Sequence, residues 1–203
     1  MYFVSLQQKF LLAIHIIIQL LRGKQARKYQ KKIYDKRLPT VFEKAKEVFP
    51  SLDEETYNSS YGRFTDSDDY FKGIIMQTDF DEKILTKIAK YLIQYSFIFH
   101  RISGNAELIT SDNPVMFINS ITNNARPFSN GLEKNTTVMY FALSPKLLVE
   151  AYNPRFFGGH LNKKDFSVEF LDAIKEQVFI NTYNKKQLVQ CSNCVYAHSE
   201  EVL

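Results

Sequence analysis

The residue types that can do chemistry are most concentrated in Thr110-Ser-Asp-Asn-Pro114. There, four consecutive hydrogen-bonding side chains and a proline interrupt two apolar runs. An aspartate can serve as a base, hold a cation or pair with an arginine, and its neighbours can donate and accept hydrogen bonds around it. Asp112 and Asn113 can each bond backbone two residues on, while Pro114 fixes its own φ and disfavours helix before it. From Glu107 to Ile118 the pattern therefore reads as strand, tight turn, strand. Two readings stay open: a self-capped hairpin turn, and a site in which Asp112, Asn113, Ser111 and Thr110 are catalytic. A turn needs only one or two such residues, and here four are consecutive.

Other constellations restrict the chemistry less. Arg155-Phe-Phe-Gly-Gly-His160 has an Arg-x4-His spacing similar to that of the higher-eukaryote-and-prokaryote nucleotide-binding ribonucleases of defence systems. Their motif lies on a helix, which Gly158-Gly159 opposes. Cys191-Ser-Asn-Cys194 and His198, with His160 as a fourth group, have metal-ligand types, but a structural zinc site wants four ligands and no second Cys pair exists. Buried or incidental cysteine is the preferred reading, and no metal is expected. The four histidines, 15, 100, 160 and 198, form no local motif. Asp66, Asp68 and Asp69 lack the glycine and terminal glutamate of a calcium loop. With seven glycines and no glycine-rich phosphate loop, the sequence names no cofactor.

The charge is lopsided. The chain carries +4 overall, but residues Arg22 to Arg37 hold eight basic side chains against Asp35 alone, a local +7 that leaves −3 for the remainder. Arg27, Lys28, Lys31 and Lys32 fall at three- and four-residue spacing on one helical face, with Tyr29 and Ile33 on another. Lysine and arginine that neutralise phosphates supply most non-specific nucleic-acid affinity, so this face reads as a surface for nucleic acid or another anionic partner. The bland alternative is a solvated helix face.

The elements that must position these groups follow from pattern. At 203 residues with 45% hydrophobic content, the chain is expected to form a single α+β domain over 1–203, with a mainly helical half at 1–102 and a sheet-containing half at 103–203. Residues 3–22 read as a helix buried on nearly all sides. The apolar run Phe10–Leu21 is too short for a membrane span and is followed by no cleavage site. Residues 24–37 continue as helix, Pro39 breaks it, and Thr40–Phe49 forms another. Ser51-Leu-Asp-Glu54 fits a capping box, a loop follows from Asn58 to Asp69, and a helical stripe runs from Asp81 to His100. Thr136–Leu143 and Leu147–Tyr152 read as antiparallel strands joined at Ser144-Pro145. Asn153–Asp165 reads as loop, 167–181 and 182–190 as helices, and Cys194–His198 as a last strand. Two cysteines make no disulfide framework, so a reducing, cytoplasmic compartment is expected.

Thr110-Ser-Asp-Asn-Pro-Val115 resembles the signature of a bacterial family catalogued as domain of unknown function 4238. Phe141-Ala-Leu-Ser-Pro-Lys146 resembles that family's following strand. His15-Ile-Ile-Ile-Gln-Leu-Leu-Arg22, with Arg27 beyond, is similar to its helix carrying Gln and Arg near the end, and Asn181 matches an Asn of its last helix. The resemblance implies that Arg22, Gln19 and Asn181 are ligand-binding. Family members begin with a His-Tyr-x-Pro-x-x-x-Leu segment, and nothing of that type precedes Ser5. If that His is catalytic, this chain lacks a catalytic group. Where the family continues Arg-Thr-Pro, this chain has Arg22-Gly23-Lys24.

The expected architecture is N-terminal helices on a small mixed or antiparallel sheet with C-terminal helices, the hairpin turn holding a polar pocket with Arg22 and Asn181. Its function is read as a hydrolase or nuclease acting in bacterial conflict or defence. The alternative is a non-enzymatic protein that binds nucleic acid or an acidic partner through residues 22–37, with Arg27, Lys28, Lys31 and Lys32 in contact and the turn as scaffold.

Overall fold

The computed structural model describes residues 5–51, 53–56, 58–60, 81–123, 131–157, 165–170 and 173–198. Helix α1 (Leu6–Arg22) starts at a capping box: the Gln8 amide N–H donates to Ser5 Oγ at 3.2 Å and the Ser5 N–H to Gln8 Oε1 at 2.8 Å. It buries Ala13, Ile16 and Ile17 at helical spacing. It is not covered all round, because Leu6 and Leu11 are 71% and 59% exposed.

Gly23 is extended and separates α1 from α2 (Lys24–Val48). The expected break at Pro39 does not occur, and α2 runs through it as one helix of 25 residues. Proline removes a single donor, the N–H that would reach the Asp35 carbonyl, and the long flanking runs of helix formers carry the helix past it. Residues 54–56 and 58–60 are helical, but Asp53 caps them instead of Ser51, accepting from the Thr56 N–H at 2.7 Å. The remainder of the expected 58–69 loop and the acids Asp66, Asp68 and Asp69 lie outside the described residues.

Helix α3 (Glu82–Leu92) is capped by Asp81, which accepts from the N–H groups of Lys83 and Ile84. It does not continue to His100: Ser96–Arg101 is strand β1. The aromatic and β-branched run Phe97-Ile-Phe99 favours a strand, and burial on both faces of that strand removes the polar alternation that would have distinguished it from helix. Because β1 lies in 1–102, the sheet draws on both parts of the chain.

Strands β2 (Thr110–Ser111), β3 (Val115–Asn119), β4 (Thr137–Ser144) and β5 (Leu147–Tyr152) follow, then the one-turn helix α4 (Pro154–Phe157) where loop was expected. The last elements are β6 (Ser167–Phe170), α5 (Ala173–Gln190) and β7 (Val195–Tyr196). A five-stranded mixed sheet runs β3-β4-β5-β1-β6, with β1 and β6 parallel and the other pairs antiparallel. The fold is thus α+β, with the β4–β5 pairing as read from sequence. Ser167–Phe170, expected as helix, is instead an edge strand whose polar and apolar residues alternate. The strand expected at Cys194–His198 is present as β7.

Because side chains alternate across the sheet, Phe97, Val115, Met139, Phe141, Val149 and Ala151 share a face, packed by α1 and α3 through Ala13, Ile16, Ile17, Ala89 and Leu92. Met116 and Leu148 lie on the other face, against Ile180 and Tyr183 of α5. Lys9 of α1 ties down the approach to β6, donating to Asp165 Oδ2 at 2.6 Å, while Asp165 Oδ1 accepts from the Phe97 N–H at 2.8 Å. Among the described residues no helix is long and apolar enough to cross a membrane.

Candidate functional site

The Thr110–Pro114 segment is not a hairpin. β2 pairs with β7 in a separate two-stranded sheet, and β3 pairs with β4, so the turn hands the chain from one sheet to the other. A backbone that leaves one ladder to join another exposes donors and acceptors that need partners. Side chains of the turn and of α5 supply them. Ser111 Oγ accepts from the Asn113 N–H at 3.1 Å and donates to Gln187 Oε1 at 3.1 Å. Gln187 Nε2 donates to the Pro114 carbonyl at 3.0 Å. Gln190 Nε2 donates to the carbonyls of Asn113 and, at 2.9 Å, Val115. Ser111, Asn113, Gln187 and Gln190 are all buried, where an unpaired polar group is costly.

Asn113 also reaches the basic helix. Its Oδ1 accepts from the Gln25 N–H at 2.7 Å, and the Asp112 carbonyl accepts from the Lys24 N–H at 3.3 Å. The first N–H groups of a helix have no partner within it, and α2 has no side-chain cap of its own. The turn therefore caps α2 from outside. Gln25 Nε2 donates in turn to the Gln190 carbonyl at 2.5 Å. Gly23 makes the approach possible, since a Cβ there would lie 3.0 Å from the Leu20 carbonyl oxygen and 3.2 Å from Asn113 Oδ1.

Asp112 is the partial exception in this network. Its Oδ1 accepts from the Ser192 N–H at 2.9 Å and from Asn113 Nδ2 at 3.3 Å, but its Oδ2 is buried with no hydrogen-bond partner among the described residues. Burial pushes the neighbouring Cys191 thiol up, and the Asp112 carboxylate adds to that shift. Thr110, half-buried, is paired with Tyr196 in the ladder.

Among the described residues no hydrogen bond joins Arg22, Gln19 or Asn181, expected to complete a pocket, to Asp112 or Asn113. Arg22 is exposed at the end of α1 and Gln19 is half-buried three residues before it. Asn181 is exposed, accepts from Gln177 at 3.0 Å, and lies about 13 Å along α5 from Gln190 at 1.5 Å per residue. Gln25, Gln187, Gln190 and Ser192 occupy the places around Asp112 and Asn113 instead. On α2, Arg27, Lys28 and Lys32 are exposed, and Lys31 is half-buried with its ammonium 3.4 Å from Asp35. No group of three or more histidine, cysteine or acidic side chains placed to hold a metal occurs among the described residues, and both cysteines are free thiols. Arg155 sits in α4, and His160 lies outside the described residues.

Sequence reading missed a second polar group, on the α5 face of the sheet. His100 Nε2 and Glu150 Oε2 are 2.6 Å apart with the two residues only 4% and 6% exposed, and Glu169 Oε2 is 4.0 Å from His100 Nδ1. Tyr140, directly across from Glu150 in the ladder, and Tyr152 have phenols pushed up by burial and then by the Glu150 carboxylate. Phe179 of α5 stacks at 4.9 Å on His100. No sequence motif joins residues on four strands, so only the strand register brings them together.

The family described as "Protein of unknown function (DUF4238)" matches residues 3–201, nearly the whole chain. The chain belongs to this family. Neither the curated proteins nor the solved structures include a match. DUF4238 membership carries no reaction with it, so the chemistry rests on the geometry of the two polar groups and the basic helix.

Proposed function

We propose that the protein binds nucleic acid through the basic N-terminal half of α2, with the Thr110–Pro114 turn as the anchor that orients this helix. The observation that carries this reading is the external cap: Asn113 and Asp112 spend their hydrogen bonds on the first N–H groups of α2 and on α5. The cationic side chains Arg27, Lys28 and Lys32 are held outward on the same helix.

The placement of the charges supports it further. A helix N-terminus is positive, so acidic residues stabilise the first turns and basic ones destabilise them. α2 has no acid in its first turn and places Lys24, Arg27 and Lys28 within its first five residues. Their positions oppose helix stability and add to the positive potential that draws phosphates.

Fluorescence anisotropy with labelled single- and double-stranded oligonucleotides over a salt series tests the proposal. Binding should weaken steeply with salt; neutralising Arg27, Lys28 and Lys32 should lower the log–log salt slope by about three, and reversing their charge should abolish binding. Binding that ignores both salt and the reversal would contradict it. Binding only to acidic proteins would assign the helix to another anionic partner.

A second reading, a hydrolase or nuclease acting in bacterial conflict, is favoured by the buried Oδ2 of Asp112, which has no partner among the described residues. It requires loss of a nucleic-acid substrate that disappears in Asp112→Asn, a variant that keeps the size of the side chain. Unchanged turnover in that variant removes this reading.

A further inference from the structure

The described pocket between strands β3 and β4 and helix α5 has a composition that neither the basic helix nor the turn explains. Its walls are Met116, Ile118, Tyr140, Phe179 and Tyr183, and its mouth holds Lys186, Thr182 and Asn123. Its cavity is about 130 Å³. An apolar cavity of about 150 Å³ is sufficient to take a benzene ring.

We infer that this pocket binds a small organic anion, an aromatic or compact apolar body bearing one carboxylate, with Lys186 as its counter-charge. Lys186 is half-buried on α5 and its ammonium donates to the neutral Asn123 Oδ1, and it has no carboxylate partner among the described residues. Burial holds its pKa below the usual lysine value, as expected of a cation that has lost water without gaining an anion. A carboxylate at the pocket mouth would supply that missing charge through a charge-assisted hydrogen bond.

The far end of the pocket fixes the orientation. Tyr140 lines it, and behind Tyr140 stands Glu150, buried against His100. The Glu150 charge repels an anion there, while Tyr140, Phe179 and Tyr183 present three aromatic rings and Met116 and Ile118 complete an apolar wall. The ring of a bound acid therefore lies against the sheet and its carboxylate faces outward to Lys186. This site is independent of the nucleic-acid reading, since α5 carries it on the sheet face away from α1.

Titration calorimetry and ligand-observed NMR on the full chain with benzoate, benzamide and benzylamine, three probes of nearly equal size, test the inference. Benzoate should bind about tenfold or more tightly than benzamide, the discrimination expected of one charge-assisted contact, and benzylamine should not compete. Lys186→Met should reduce benzoate to the benzamide level, and Lys186→Arg should retain most of the preference. Thr182→Phe, which closes the mouth from an exposed position, should eliminate binding of benzoate and benzamide while circular dichroism stays unchanged. Absence of saturable benzoate binding at millimolar concentration, equal binding of benzoate and benzamide, or a full preference surviving in Lys186→Met would each overturn it.

Discussion

The Thr110–Pro114 turn and the first half of α2 are polar stretches hydrogen-bonded to one another, and they use their polar groups in opposite ways. In the turn, Ser111 and Asn113 are buried and meet partners at nearly every donor and acceptor. On α2, Arg27, Lys28 and Lys32 stand in solvent. The difference teaches that a dense polar run can measure the demands of an irregular backbone as readily as it measures chemistry. Groups that have already formed their hydrogen bonds are expensive to redirect toward a substrate, whereas solvated charges need only exchange water and counterions.

This contrast breaks most visibly at Asn113. Asn113→Ala leaves the half-buried Gln25 N–H without its acceptor and removes a donor from the Gln190 carbonyl and the Ser192 hydroxyl, and stability should fall by about 3 kcal/mol in urea denaturation. A loss below about 0.5 kcal/mol, the range of ordinary surface changes, would show that the turn is not the anchor described.

Glu176 sharpens the same point at another turn. It is a buried α5 carboxylate; burial would raise its pKa, but the N–H groups of Ser103 and Gly104, the Ser103 hydroxyl and Lys146 together hold it below the usual value. A carboxyl depressed on folding stabilises the protein above its unfolded pKa, and that stability is lost as pH falls through the lower folded value. Glu176→Gln should cost about 2 kcal/mol near neutrality and flatten the acid limb of a stability-against-pH curve below the ordinary glutamate pKa. An unchanged acid limb would place the stabilising interaction elsewhere.

The smallest effect has the opposite sign. Arg27→Glu replaces a cation near the α2 N-terminus with an anion and should leave stability unchanged or raise it by about 0.5 kcal/mol, while weakening oligonucleotide binding. Thermal unfolding and anisotropy on the same sample check both halves. A variant that is destabilised and still binds normally would assign Arg27 to the fold.

What the sequence made legible follows from which features need distant partners. The basic face was readable because an exposed charge depends only on local helical spacing, and the β4–β5 pairing because the Ser144-Pro145 turn is local. Thr110–Pro114 could be recognised as irregular, but its partners Gln187 and Gln190 lie on the far side of the sequence. Asn181, on the same helix, has the right residue type and the wrong position. His100 was read as the end of a helix because Phe97-Ile-Phe99 is buried on both sides of β1 and shows no alternation. Its partner Glu150 is 50 residues away and is brought near only by strand register. Pro39 was overread as a break, because a single missing donor does not stop a helix of this length.

The central claim, that the turn anchors and the helix binds, is tested most directly by measuring stability and oligonucleotide affinity together in two variants. Asn113→Ala should lose stability, with affinity of the remaining folded fraction falling only as α2 loosens. The triple reversal at Arg27, Lys28 and Lys32 should keep its unfolding midpoint and lose salt-sensitive binding. A triple variant that binds like the wild type, or an Asn113→Ala variant of full stability that has lost binding, would contradict the account.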